Sequence, residues 1–152
     1  MKARSHHDIQ RIQGGVRTWS RISDRLFSIG SFGVGLDGLL AWVPAVGDAY
    51  SLGAGAYLLA QGYRARASKA TLAKMAGMIG LDALFDVVPV VGYAADTWFR
   101  AHARAARLLQ AEIDATHYAD DSETEARAAG RVQEHHERRK AEGKKRLVFL
   151  RD

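Results

Sequence analysis

Five aspartates are the only charged residues in the two most apolar parts of this 152-residue chain: Asp37, Asp48, Asp82, Asp86 and Asp96. The stretches that hold them, Leu26–Tyr63 and Met75–Phe99, contain no lysine or arginine. Carboxylates in such surroundings can gather round a cation or pass protons, or they can accept hydrogen bonds from backbone donors that would otherwise be buried unpaired. Asp82 and Asp86 stand four apart, on one face of a helix, where like charges repel unless a cation or proton intervenes. The structural reading is the favoured one: Asp48 caps a helix, while Asp37 and Asp82 receive turn amides. A cation or proton pathway through the cluster is the alternative.

The remaining chemistry-bearing residues are basic. Arg100, Arg104 and Arg107 fall at i, i+4 and i+7 along one helical face, and Arg64 and Arg66 mark the end of the first apolar stretch. Such a stripe suits anionic lipid headgroups or an acidic partner. Nucleic acid is the minor reading, because base readout would need an exposed polar or aromatic reading surface. Gly33–Gly38 matches G-x-G-x-x-G, but a dinucleotide site requires a preceding strand and a later acidic residue, and helix is expected on both sides. The adjacent pairs His6-His7 and His135-His136 diverge on a helix, and these, like the isolated His102, read as solvated surface histidines. With no cysteine in the chain, thiolate catalysis, disulfides and cysteine-held metals are excluded. No catalytic residue, metal site, cofactor or small-molecule ligand is identifiable, and the expectation is a protein without enzymatic activity.

The elements that carry these residues follow from an internal repeat. Leu36–Gly47 aligns with Leu81–Gly92, 45 residues on, and the only two prolines, Pro44 and Pro89, each stand three residues before a glycine, Gly47 and Gly92. Each unit reads as helix, Pro/Gly turn, helix. Leucines and valines recur at helical spacing up to each proline, which disfavours α conformation before it, and the glycine frees the turn. Helices are predicted over about 16–28, 49–67, 68–80 and 94–115. The fold class is all-α: duplicated helix–turn–helix units forming a small bundle, followed by a charged C-terminal tail that is helical or disordered. Asp120, Asp121 and Ser122 can start a helix there, and Leu147–Leu150 is a short apolar end fit to dock.

The doubled L-D-x-L-x-x-x-x-P-x-x-G pattern resembles the mainly bacterial family called domain of unknown function 4112, over roughly residues 25–112. The first copy conforms through Asp48. The second has Tyr93 in place of the common Asp and keeps Asp96, and its Asp86, Pro89, Gly92, Tyr93 and Asp96 are also similar to domain of unknown function 1232. The resemblance implies a helical, membrane-associated protein and brings no activity with it.

Charge distribution fits that implication. Residues 1–110 carry 13 Lys and Arg against 7 Asp, whereas 111–152 carry 9 against 10. The N-terminus does not read as a secretory signal, since six basic residues precede its first apolar run. The longest uncharged run, Ala49–Tyr63, is fifteen residues, short of the ~20 that a spanning helix needs. A helical hairpin with both basic ends at the anionic cytoplasmic face fits better. Residues 1–15 are expected as a flexible N-terminus, 16–115 as the duplicated membrane-associated domain and 116–152 as the charged tail. Small residues such as Gly53, Ala56 and Ala60 favour close helix approach and self-association. The role expected is structural or interaction-based at the cytoplasmic side of a membrane. The rivals are a small ion or proton permeation protein and a cytoplasmic helical adaptor for an acidic partner.

Overall fold

The computed structural model describes the backbone of residues 2–30, 44–85 and 94–152, and the side chains of 2–19, 21, 53–81 and 101–152. Four long helices make the body: α1 (His6–Gly30), α2 (Pro44–Arg64), α3 (Lys69–Phe85) and α4 (Ala94–Asp114). A smaller unit follows, with strand β1 (Thr116–Ala119), helices α5 (Glu123–Ala128) and α6 (Val132–Ala141), and strand β2 (Arg146–Phe149). β2 pairs with β1 in parallel, Thr116 opposite Arg146 and Ala119 opposite Phe149. The two helices are the crossover that a parallel pair requires.

Local chemistry sets the helix ends. The Ser5 hydroxyl accepts the Asp8 amide, a first-turn donor that α1 cannot satisfy internally, while the Asp8 carboxylate accepts the Arg4 amide just before the helix. Pro44 opens α2 at a position where its missing N–H costs nothing. Between α2 and α3 the chain turns through Arg66 at φ 55°, a left-handed conformation uncommon for a residue with a Cβ. Ser68 then starts α3 by accepting the Thr71 amide at 3.1 Å. Ser122 and Glu125 form a reciprocal capping box at α5.

Val16 of α1, Leu58 of α2, Met75 of α3 and Leu109 of α4 are fully buried and belong to one core. Gly55 lets α2 lie close to α3, since a Cβ there would lie 2.6 Å from Ile79 Cγ2. Tyr118 and Leu150 of the smaller unit enter the same core.

Several expectations are corrected. The fold is mostly helical, yet the C-terminal segment is neither a lone charged helix nor disordered, because its ends zip into the two-stranded sheet. The first helix begins at His6, not near Val16, and Ala3, Ile9 and Ile12 are buried. At Gly15, inside this helix, a Cβ would lie 2.8 Å from the Tyr57 hydroxyl, so the glycine permits helix contact there. The helices predicted over 68–80 and from Leu81 onward are one helix, α3, through Phe85. Gly47 and Asp48 lie inside α2, so Asp48 is not its cap. Asp37, Asp86, Pro89, Gly92 and the G-x-G-x-x-G segment lie outside the described residues. Among the described residues, no helix is long and apolar enough to cross a membrane.

Candidate functional site

Helices α1 and α4 bury the faces Ile9–Ile12–Val16 and Ala105–Ala106–Leu109–Ile113, which leaves the arginines one step round each helix at the rim. They run antiparallel: Gln13 Nε2 donates to Asp114 at 2.6 Å, while further along Arg21 shares a cleft with Arg107. The open cleft, about 370 Å³, is lined by Arg17, Arg21, Arg107, Gln110, Ala111 and Asp114. Asp114 is well occupied. Gln110 donates to both its oxygens at 3.1 Å, and Arg17 stands 3.9 Å away with both side chains about half exposed.

The predicted arginine set therefore divides. Arg104 and Arg107 are exposed on α4, and Arg64 is exposed at the end of α2. The Arg100 side chain lies outside the described ones. Arg66 is engaged elsewhere: its guanidinium donates to the carbonyls of Ala3 at 3.2 Å, Leu150 at 2.8 Å and Asp152 at 2.6 Å. Arg17 and Arg21 are cleft residues that sequence reasoning missed. Their i, i+4 spacing is visible in the sequence, but their meeting with Arg107 depends on how α1 packs.

Beside Arg66, a polar junction joins the smaller unit to the body. Arg146 pairs with Glu112, and Glu112 also accepts the Ser68 amide at 3.0 Å. Burial, the largest single influence, pushes the Glu112 carboxyl up. The Ser68 amide, Arg146 and the Ser68 and Thr71 hydroxyls outweigh it and hold the group below its ordinary value. The Tyr118 hydroxyl donates to the Ala65 carbonyl at 3.0 Å, and burial pushes its pKa up to about 12.

A second cleft, about 570 Å³, lies between the start of α1 and the smaller unit. Three histidine–carboxylate pairs line it: His117 with Glu142 at 2.8 Å, His135 with Asp121 at 3.0 Å and His6 with Asp120 at 3.4 Å. His135 and Arg131 hold the Asp121 carboxyl below its ordinary value, and His117 does so for Glu142. The surface reading of the histidines holds for part of the set. His135 has a side chain only 12% exposed and His102 is buried. His117, unremarked in the sequence, is 11% exposed. Among the described residues, no group of three or more His, Asp or Glu could hold a metal ion.

The outward faces of α2 and α3 are of another kind. Gly53, Ala56, Tyr57, Ala60 and Tyr63 are exposed along α2, as are Ala76, Gly77, Gly80 and Leu81 along α3. Tyr57 is 40%, Tyr63 55% and Leu81 59% exposed. Arg64 at the end of α2 and Lys69 and Lys74 in the first two turns of α3 are exposed. The Asp48, Asp82 and Asp96 backbones sit in α2, α3 and α4, with side chains outside the described set.

A family model with the description "Domain of unknown function (DUF4112)" matches residues 13–113. No curated protein and no solved structure matches the chain.

Proposed function

The chain belongs to the DUF4112 family, whose description assigns no activity, and from that premise we propose that its helical body is a non-enzymatic interaction module held at an anionic membrane surface. The carrying observation is the α2–α3 pair. Its outward faces from Gly53 to Tyr63 and from Met75 to Leu81 bear no charge, and the exposed Arg64, Lys69 and Lys74 stand between them along the chain. Contiguous apolar surface rimmed by basic side chains is the composition of an element that lies in the headgroup boundary. Each basic residue near an anionic leaflet adds about 1 kcal/mol. Attachment is interfacial, by the apolar hairpin faces with the basic bend at the headgroups.

Flotation of the full-length protein with phosphatidylcholine vesicles, with and without phosphatidylserine, tests the reading. Binding to the anionic vesicles should weaken but persist in high salt, and Ala60→Glu with Leu81→Glu should abolish it while circular dichroism stays unchanged. Failure to float on any vesicle overturns the proposal. A second copy of the chain is the other occupant these faces suit, since Gly53, Gly77 and Gly80 have open space where a Cβ would stand. A second helix can approach closely over such residues. Light scattering showing a dimer lost in the same double variant, without lipid, would support that occupant instead.

A further inference from the structure

We infer that the cleft between α1 and α4 is a binding site for a phosphoryl group, held by Arg17, Arg21 and Arg107. Among the described residues, the cations lining it are all arginines. The planar guanidinium presents a fixed fork of donors that matches phosphate oxygens two at a time. Arg17 and Arg21 project one turn apart from α1, and Arg107 meets them from the antiparallel α4, so a ligand between the helices is approached from two sides. Among the described residues lining it, the one carboxylate is Asp114 at one end, and the Gln13 and Gln110 amides already donate to it. Arg17 is held to Asp114 only at 3.9 Å, between half-exposed partners. Such an exposed pair is worth little, so Arg17 can turn to a better acceptor at small cost.

The size of the site sets the class of ligand. About 370 Å³ is near the lower end of ligand pockets, which run from roughly 300 to 1,000 Å³. A phosphomonoester or pyrophosphate fits that space, whereas a dinucleotide needs more. Either a lipid headgroup or a free phosphate compound supplies the same chemistry. The site stands apart from the α2–α3 faces and needs no membrane.

Calorimetric titration of the full-length protein with inorganic pyrophosphate is the test, in parallel with flotation on phosphatidylcholine vesicles carrying phosphatidic acid. Arg17→Gln with Arg21→Gln should weaken pyrophosphate binding by about tenfold or more, the worth of one charge-assisted contact. Arg21→Lys, which keeps the charge but not the fork, should weaken it by a smaller factor, and Asp114→Asn should tighten it. Arg64→Gln should leave it unchanged. Pyrophosphate that displaces the protein from phosphatidic acid vesicles identifies a headgroup, and binding of pyrophosphate alone identifies a free phosphate compound. The inference is overturned if neither probe binds, if the double variant binds like the parent, or if Arg64→Gln weakens binding as much. Because the pyrophosphate arm contains no lipid, its failure is separate from failure of the membrane reading.

Discussion

The helical body and the C-terminal unit are held together by different physics. The body closes over Val16, Leu58, Met75 and Leu109, all fully buried, and its helices approach through small residues such as Gly55. The C-terminal unit has no comparable interior. No residue of α6 is buried, and β2 is half-buried along its length. Its cohesion comes from polar contacts: Asp121 with Arg131 and His135, Glu142 with His117, the Ser122–Glu125 capping box and the β1–β2 ladder. Its apolar anchorage, Tyr118 and Leu150 with the half-buried Val148, it obtains from the body's core. A segment of some forty residues is too small to bury much surface by itself. Its fold therefore depends on the surface it covers, whereas the body depends mainly on its own packing.

The largest expected effect comes from the body. Leu109→Ala empties space between α4 and its neighbours and should cost about 3–5 kcal/mol by the usual range for buried leucines. Chemical denaturation should show that loss, insensitive to salt. A loss below about 1 kcal/mol would mean that the body is loosely packed and that the contrast with the C-terminal unit is false.

Next comes the junction. Glu112 has a folded pKa below its ordinary 4.5, so its contribution is complete above pH 4.5 and is lost as pH falls through the folded value. Asp121 and Glu142 are lowered too and act in the same direction. Acid should therefore loosen the C-terminal unit before the body. Glu112→Gln should cost about 2 kcal/mol at neutral pH, the range for a hydrogen bond to a charged group, and should flatten the acid limb of a stability–pH curve. Trp19, on the body side, should report a later acid transition than amide exchange in β1. Coincident transitions would show that the two regions share one cooperative unit.

Legibility in the sequence follows the same divide. Helix α4 is predicted over about 94–115 and observed over Ala94–Asp114, because burial on one face writes a strong helical period into the residues. The start of α1 is hidden because Gly14 and Gly15 are poor helix formers, and the packing of Tyr57 accounts for Gly15 alone, since a Cβ at Gly14 would meet nothing. The strands are invisible for a simpler reason. Four residues are too few for alternation to declare itself, and the partner of Leu147–Leu150 is chosen by contacts with Arg66 and the body core. The basic cleft is half legible: Arg107 follows from the spacing of the arginines within one helix, whereas its meeting with Arg17 and Arg21 is a property of two helices packed together. Arg66 shows the converse, a basic residue that looks like surface charge but whose donors go to main-chain carbonyls.

Tyr118→Phe removes one hydrogen bond at the junction and leaves the ring in place. The Ala65 carbonyl loses its side-chain donor, and the expected cost is about 1 kcal/mol. The loss should appear in thermal unfolding with no change in the acid transition, since the phenol stays neutral at any pH well below about 12. A shift of the acid limb would instead mean that Tyr118 acts through the neighbouring Glu112–Arg146 pair.

The smallest effect is the most informative about how far the two regions are coupled. Ser122→Ala removes the side-chain acceptor of the Glu125 amide and half of the capping box, which should cost about 1 kcal/mol. Helix α5 has six residues, of which only Ala126 is buried, so by its own packing it resists fraying poorly. If the C-terminal unit opens separately, hydrogen exchange in α5 and α6 should quicken while exchange at Leu58 and Leu109 is untouched. If it opens only with the body, the whole penalty should reach the global transition and lower Tm by about 3 °C. The division in cohesion predicts the first result. It follows from the division itself: a cap contributes globally only where the element it caps is welded to the core, and α5 meets the body through strand and junction rather than through a buried face of its own.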